Sequence, residues 1–261
     1  MAEQSTVAVI AAPTGRPTAV RRWFYISIAL LIIVLNVVAF GPSIVEPSRR
    51  NVPLPLTTLV TAHAILAAAW LLLFLAQTTL VATSRTAVHR RLGIFGAVLT
   101  VAFIVVGCSA VIAQARRGWD LSGDISRLPP PSGADPLAAV VGLLVFFLIF
   151  GMLVGAALWY RHRPGVPKRL MLLAVLGGLT PTPVAHVIGH WSVLQRWTAL
   201  IFPLGLFVFL SFSAIYDRAS EGRIHPVSLW VGILVFVGSA LFNVVIVPSS
   251  AWHQFALWLI R

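Results

Sequence analysis

The sequence predicts an all-α, polytopic membrane bundle of seven transmembrane helices, and three observations carry that expectation. Apolar residues make up 59% of the chain and charged residues 10%, against about 25% charged in a soluble domain. Seven stretches reach the roughly 20 mostly apolar residues needed to cross a bilayer. The basic residues collect in short segments between those stretches, the pattern of membrane topology. A net charge of +12 would suggest nucleic acid in a soluble protein. Here the charge is divided among short loops on both sides, so the partner is the lipid bilayer and nucleic-acid binding is excluded.

The elements follow in order. Residues 1–22 are rich in Ala, Pro and Thr and read as a disordered tail. Span 1 covers about Trp23–Phe40; it is longer than a signal-peptide core and no small-residue cleavage site follows it. Span 2 covers about Thr57–Thr83, span 3 Leu92–Ala115 and span 4 Pro136–Tyr160. Span 5 covers Arg169–Trp191, span 6 Trp197–Tyr216 and span 7 Pro226–Val247. With these limits every acidic residue falls outside the spans. The seven-helix domain is thus 23–247, and 248–261, with Trp252, Phe255 and Trp258, is too short to span and reads as an interfacial helix. Between spans 3 and 4, Arg116–Asp135 is long enough to fold over the bundle as a lid.

Orientation comes from the basic residues. With the N-terminus inside, the inner segments hold Arg16, Arg21, Arg22, Arg85, Arg90 and Arg91, then Arg161, Arg163, Lys168, Arg169, Arg218 and Arg223. That is 12 of 19, and the positive-inside rule gives N-in, C-out. Lys168 is the sole lysine, a bias that points to GC-rich coding and a bacterial inner membrane. The single cysteine, Cys108, excludes an intrachain disulfide.

Ionisable groups are expensive in a bilayer and mark pathways, ligands or metals when they persist. His63, on span 2, lies roughly 9 Å below the outer boundary at 1.5 Å per residue, and His186 and His190, on span 5, at roughly 8 and 2 Å. Asn36 and Asn243 fall at about 6 Å and Cys108 at about 10 Å on the same scale. Six polar or soft side chains from five helices therefore share the outer third. His186 and His190 are four residues apart and project from one helical face. With His63 they form a candidate zinc triad, and two imidazoles at matched depth, His63 and His186, could instead hold one haem iron. The competing reading is that each histidine hydrogen-bonds a neighbouring helix.

Three further features surround this layer. Pro181 and Pro183 lack backbone N–H groups, so the carbonyls of Gly177 and Leu179 lose their partners. Such breaks mark substrate or ion sites in transporters, unless the Thr180 and Thr182 hydroxyls simply satisfy the kink. His63, Trp70 and Gln77 form a stripe at seven-residue spacing on one face of span 2, read first as packing. His89 and His162 lie in basic loops, as solvated topology determinants or as a second, inner ligand pair.

The run His63…Trp70…Gln77…Leu80-Val81…His89-Arg90-Arg91-Leu92-Gly93, followed by Lys168-Arg169-Leu170-Met171-Leu172-Leu173, resembles a widespread family of bacterial multi-span proteins of uncharacterised activity. A more distant likeness is to di-haem transmembrane cytochromes of the ferric reductase type, which bind two haems through histidines on four helices. That likeness implies haem ligation by His63 and His89. It fades at His162 and at the span 5 pair, leaving a single outer b-type haem on His63 and His186.

Four functions follow as expectations. They are a haem redox protein, a zinc-dependent intramembrane hydrolase, a transporter or sensor of a small solute or proton, and an assembly factor without a ligand. The hydrolase would need Asp120 or Asp124 of the outer loop as its general base. Whether the chain is an enzyme stays open at this stage. Hydrolytic triads lack a carboxylate at the depth of Ser109, Ser211 or Ser213, and phosphate-cradling glycine motifs are absent.

Overall fold

A computed structural model of the chain describes residues 19–46, 56–117, 136–190 and 197–261. The expected tail through residue 18, the proposed lid beyond Arg117, with Asp120 and Asp124, and the side chain of His190 lie outside the described residues. The described residues are helical, without strands. Seven helices are long and apolar enough to cross a membrane. The chain is an integral, multi-pass membrane protein in design.

The helices are α1 Ala19–Val45, α2 Thr58–Ala82, α3 Thr86–Arg116, α4 Pro136–Gly142 and α5 Leu144–Trp159. There follow α6 Val166–Ala174, a π-helical segment Val175–Leu179, and α7 Pro181–His190. Next come α8 Thr198–Glu221, a π segment Val227–Val231, α9 Gly232–Leu241, a π segment Phe242–Ile246 and α10 Ser250–Ile260. Spans 4, 5 and 7 are therefore composite. Apolar sequence sets where a span lies; prolines and local packing decide where its hydrogen bonding changes register.

Contacts between helix ends fix two faces of the bundle. On one face the start of α1 meets the end of α8 through Tyr25 and Tyr216, ring centroids 5.1 Å apart, and the start of α6 meets α8 through Arg169 and Asp217. On the other, the end of α1 meets α7 through Phe40 and His186 at 4.7 Å. There the Trp252 indole N–H of α10 donates to the Ala138 carbonyl of α4 at 2.9 Å. Arg116 Nε donates to the Ile260 carbonyl at 3.0 Å. The 248–261 segment is thus a helix docked by two hydrogen bonds, started by the Ser249 hydroxyl accepting the Trp252 N–H, with Trp258 exposed.

The span built from α6, the π segment and α7 is the centre of the bundle. Two thirds of its window is buried (67%), against 17–50% for the other six. Glycines permit this. A Cβ on Gly178 would lie 2.6 Å from Phe150 Cβ and 3.0 Å from its Cα, and one on Gly177 would lie 2.7 Å from Val235 Cγ1. The backbone thus touches α5 on one side and α9 on the other, the close approach that small residues allow between membrane helices.

One sequence expectation is corrected here. Span 6 does not stop at Tyr216: α8 runs to Glu221, so Asp217 and Glu221 belong to a membrane-spanning helix. A charged run is read as a loop by hydropathy, but here its charge is neutralised by partners on α6, and the helix continues.

Candidate functional site

The stripe His63, Trp70 and Gln77 is the seam between α2 and α3. Each step of seven along α2 is matched by a step of seven back along α3. His63 Nδ1 faces Gly107, Trp70 faces Thr100, and Gln77 faces Gly93. The buried indole N–H of Trp70 donates to Thr100 Oγ1 at 2.9 Å, and that hydroxyl donates to the Gly96 carbonyl at 2.8 Å. With its amide oriented to satisfy both neighbours, Gln77 donates to His89 Nδ1 and accepts the Gly93 N–H at 3.1 Å. His89 is therefore tied into the seam, and His162 accepts from Arg161 Nε at 3.1 Å on an exposed turn.

The outer layer is packed rather than open. The His63 ring stacks on Phe103 at 5.2 Å and meets Phe147 edge-on at 5.6 Å; its Nδ1 is buried without a hydrogen-bond partner among the described residues. His186 is 1% exposed and lies against Phe40. Asn36 donates to the Ile32 carbonyl at 2.9 Å and Asn243 to the Ser239 carbonyl at 2.8 Å, each within its own helix. Cys108 is a half-buried free thiol packed against the core.

Among the described residues no group of three or more His, Cys, Asp or Glu side chains could hold a metal ion. The triad's third member, His190, closes α7, and its side chain is outside that description. For haem, phenylalanines lie against the face and the edge of the His63 ring, where a macrocycle would need a slot.

The break in the central span has a defined geometry. The Thr180 N–H donates to the Val175 carbonyl, five residues back, at 3.2 Å, and the Thr180 hydroxyl donates to the same oxygen at 2.9 Å. The helix widens to a π turn because Pro181 cannot donate the next bond. A small cleft beside it is lined by Leu176, Thr180, Pro181, Val184, Phe202 and Leu206. Thr182 is half-buried next to it. Protein covers the break, as irregular backbone at membrane depth requires.

At the opposite end of the same span lies a cluster that sequence reading missed. Arg169 and Asp217 are 1% and 0% exposed. Arg169 Nε donates to Asp217 Oδ1 at 2.8 Å, and Nη2 lies 2.6 Å from the same oxygen. Nη2 also lies 2.7 Å from Glu221 Oε1, and Nη1 donates to the Gly165 carbonyl at 2.8 Å. Gly165 has φ +81, and a Cβ there would lie 2.6 Å from Nη1, so glycine is required. Lys168 Nζ reaches Glu221 Oε1 at 3.2 Å and sits over the Tyr216 ring.

The other Asp217 oxygen, Oδ2, accepts the His225 N–H at 3.2 Å, and His225 Nδ1 accepts the Val227 N–H at 3.1 Å. Burial first, then the Arg169 charge, holds His225 below the usual histidine range. Tyr25 packs its ring on Tyr216, and its hydroxyl is buried without a hydrogen-bond partner among the described residues. The signal available in sequence was the spacing Asp217-x-x-x-Glu221, which puts two carboxylates on one helical face opposite the Lys168-Arg169 pair.

Compared with known proteins, the chain matches no family model, no curated protein and no solved structure. The geometry therefore stands on its own.

Proposed function

We propose that this chain is a non-enzymatic bacterial inner-membrane transporter of a small polar solute, working through its central span. One observation carries the reading. The most buried span is broken near its middle and holds one buried ionisable side chain at each end, Arg169 and His186, both 1% exposed. Intramembrane ionisable groups that face the bundle interior mark solute and ion pathways, and interrupted helices supply the binding and moving parts of transporters. The positive-inside rule puts the Arg169 end in the cytoplasm and the histidine end outside.

On this reading the buried His63 and His186 stand beside the outer part of the route, each packed on phenylalanine rings. Trp70 and Gln77 hold the α2–α3 seam beside it. The haem and zinc readings gain no support from this geometry.

The test is reconstitution of the purified protein in proteoliposomes on a solid-supported membrane, with jumps in pH, inorganic phosphate and succinate. A transient current or solute uptake that is absent from protein-free vesicles is expected. A folded protein giving no current and no uptake with any of the three probes overturns the reading. Stoichiometric haem or zinc in the purified protein, by reduced-minus-oxidised spectrum and elemental analysis, would overturn it equally.

A further inference from the structure

The cluster at the Arg169 end sets two cations against two carboxylates. Arg169 carries five N–H groups and Lys168 three, all without acceptor capacity, and Tyr25 adds a hydroxyl. Against them stand two carboxylates, which are not equivalent. Asp217 is fully buried, takes two guanidinium nitrogens on Oδ1 and the His225 N–H on Oδ2, and is fixed from both sides. Glu221 is the last residue of α8, its side chain is 27% exposed, and a single oxygen, Oε1, receives both Arg169 Nη2 and Lys168 Nζ.

Gly222 follows it at φ +72, with nothing within 4 Å of where a Cβ would stand. Asp217 is fully buried while the Glu221 side chain is partly exposed at this helix end, so Glu221 is the carboxylate able to exchange. Once it leaves, Arg169 Nη2 and Lys168 Nζ lack this acceptor, and the buried Tyr25 hydroxyl has none to begin with. A cation would find Asp217 already committed. A neutral solute would leave the two cations with one carboxylate between them, Arg169 being buried.

We infer that Lys168, Arg169 and Tyr25 form a binding site for an oxyanion group, a carboxylate or a phosphate, and that Glu221 occupies it as a tethered competitor. Charge-assisted hydrogen bonds from Arg and Lys to such a group are the strong kind. Lys168, its side chain 38% exposed, gives the site its way in from the basic face. The inference rests on the transport reading, whose substrate class it names. No covalent step is involved: one carboxylate is exchanged for another oxyanion on the same donors.

The sign of the competition makes the test. Full-length protein in neutral detergent is titrated calorimetrically at constant ionic strength with inorganic phosphate, with succinate, and with phosphatidic acid in mixed micelles. Saturable binding of at least one probe is expected. Glu221→Gln should tighten it about tenfold, the scale of one charge-assisted bond no longer contested. Lys168→Gln should weaken it about tenfold and Tyr25→Phe about threefold or more. These three variants leave the buried Arg169–Asp217 pair intact, so the fold persists.

Binding of phosphatidic acid alone assigns the site to a lipid headgroup, and binding of free phosphate or succinate assigns it to a soluble solute. Absence of binding by every probe in both wild type and Glu221→Gln overturns the inference, as does a Glu221→Gln variant that binds no tighter than wild type. Equal heat from chloride overturns it too. Binding with the expected sign but without flux in proteoliposomes sinks transport and keeps the site; flux without binding does the reverse.

Discussion

Asp217→Asn removes one charge from the buried pair and leaves Arg169 in place. Both side chains are at most 1% exposed, so the guanidinium cannot recover its lost partner from water. Breaking a buried ion pair at one end costs about 3–5 kcal/mol because the survivor is stranded. Arg169 keeps Glu221 Oε1 and the Gly165 carbonyl, which sets the expectation at the lower end, about 3 kcal/mol. The neighbouring Lys168–Glu221 pair, with side chains 38% and 27% exposed, belongs to the class worth about 0–1 kcal/mol.

The assay is reversible unfolding in mixed micelles titrated with SDS, read by far-UV circular dichroism. Asp217→Asn should lose about 3 kcal/mol and Lys168→Gln less than about 1 kcal/mol. The paired replacement Arg169→Met with Asp217→Leu should recover most of the loss, since no charge is then stranded. An Asp217→Asn variant within about 1 kcal/mol of wild type, the range of an exposed pair, would refute the reasoning. So would a double variant as unstable as the single one.

Other consequences are checked in the same assay. Gly178→Ala puts a Cβ 2.6 Å from Phe150 Cβ and 3.0 Å from its Cα, and overpacking of this kind should cost about 1–3 kcal/mol; Gly155→Ala, with nothing within 4 Å, should be harmless. Thr100→Val keeps the shape but strands the Trp70 indole N–H, at about 1–3 kcal/mol, with a change in tryptophan fluorescence. For His225, burial and Arg169 lower the folded-state value beneath the ordinary 6.5. Its contribution is therefore complete above pH 6.5 and is lost as pH falls through the lower folded value, where the unfolded chain binds the proton first. Thermal melting should drop on acidification below 6.5, and His225→Asn should flatten that part of the profile.

The seven spans were legible because hydrophobic length is a one-dimensional property of the sequence. The stripe His63, Trp70, Gln77 was legible for a similar reason: seven-residue spacing keeps one face turned to one neighbour. Depth arithmetic named an outer layer, in which His186 lies against Phe40 and His63 against Gly107. It could not say what each ring touches, and both amides, Asn36 and Asn243, turned to their own helices. The Arg169–Asp217 pair was hidden because hydropathy treats an acidic residue as the end of a span. Whether a charge can stay inside depends on its partner, here 48 residues away in the chain.

The α2–α3 seam also bears on how the chain enters a bilayer. Alone, α2 would carry the Trp70 indole N–H and the Gln77 amide into hydrocarbon without partners. Joined to α3 by the tight turn at Ser84, which has φ +62, it meets those partners within a single local hairpin. The seam's polar groups are thus matched before any distant helix arrives. A hairpin of these two helices would carry its polar groups into hydrocarbon already paired.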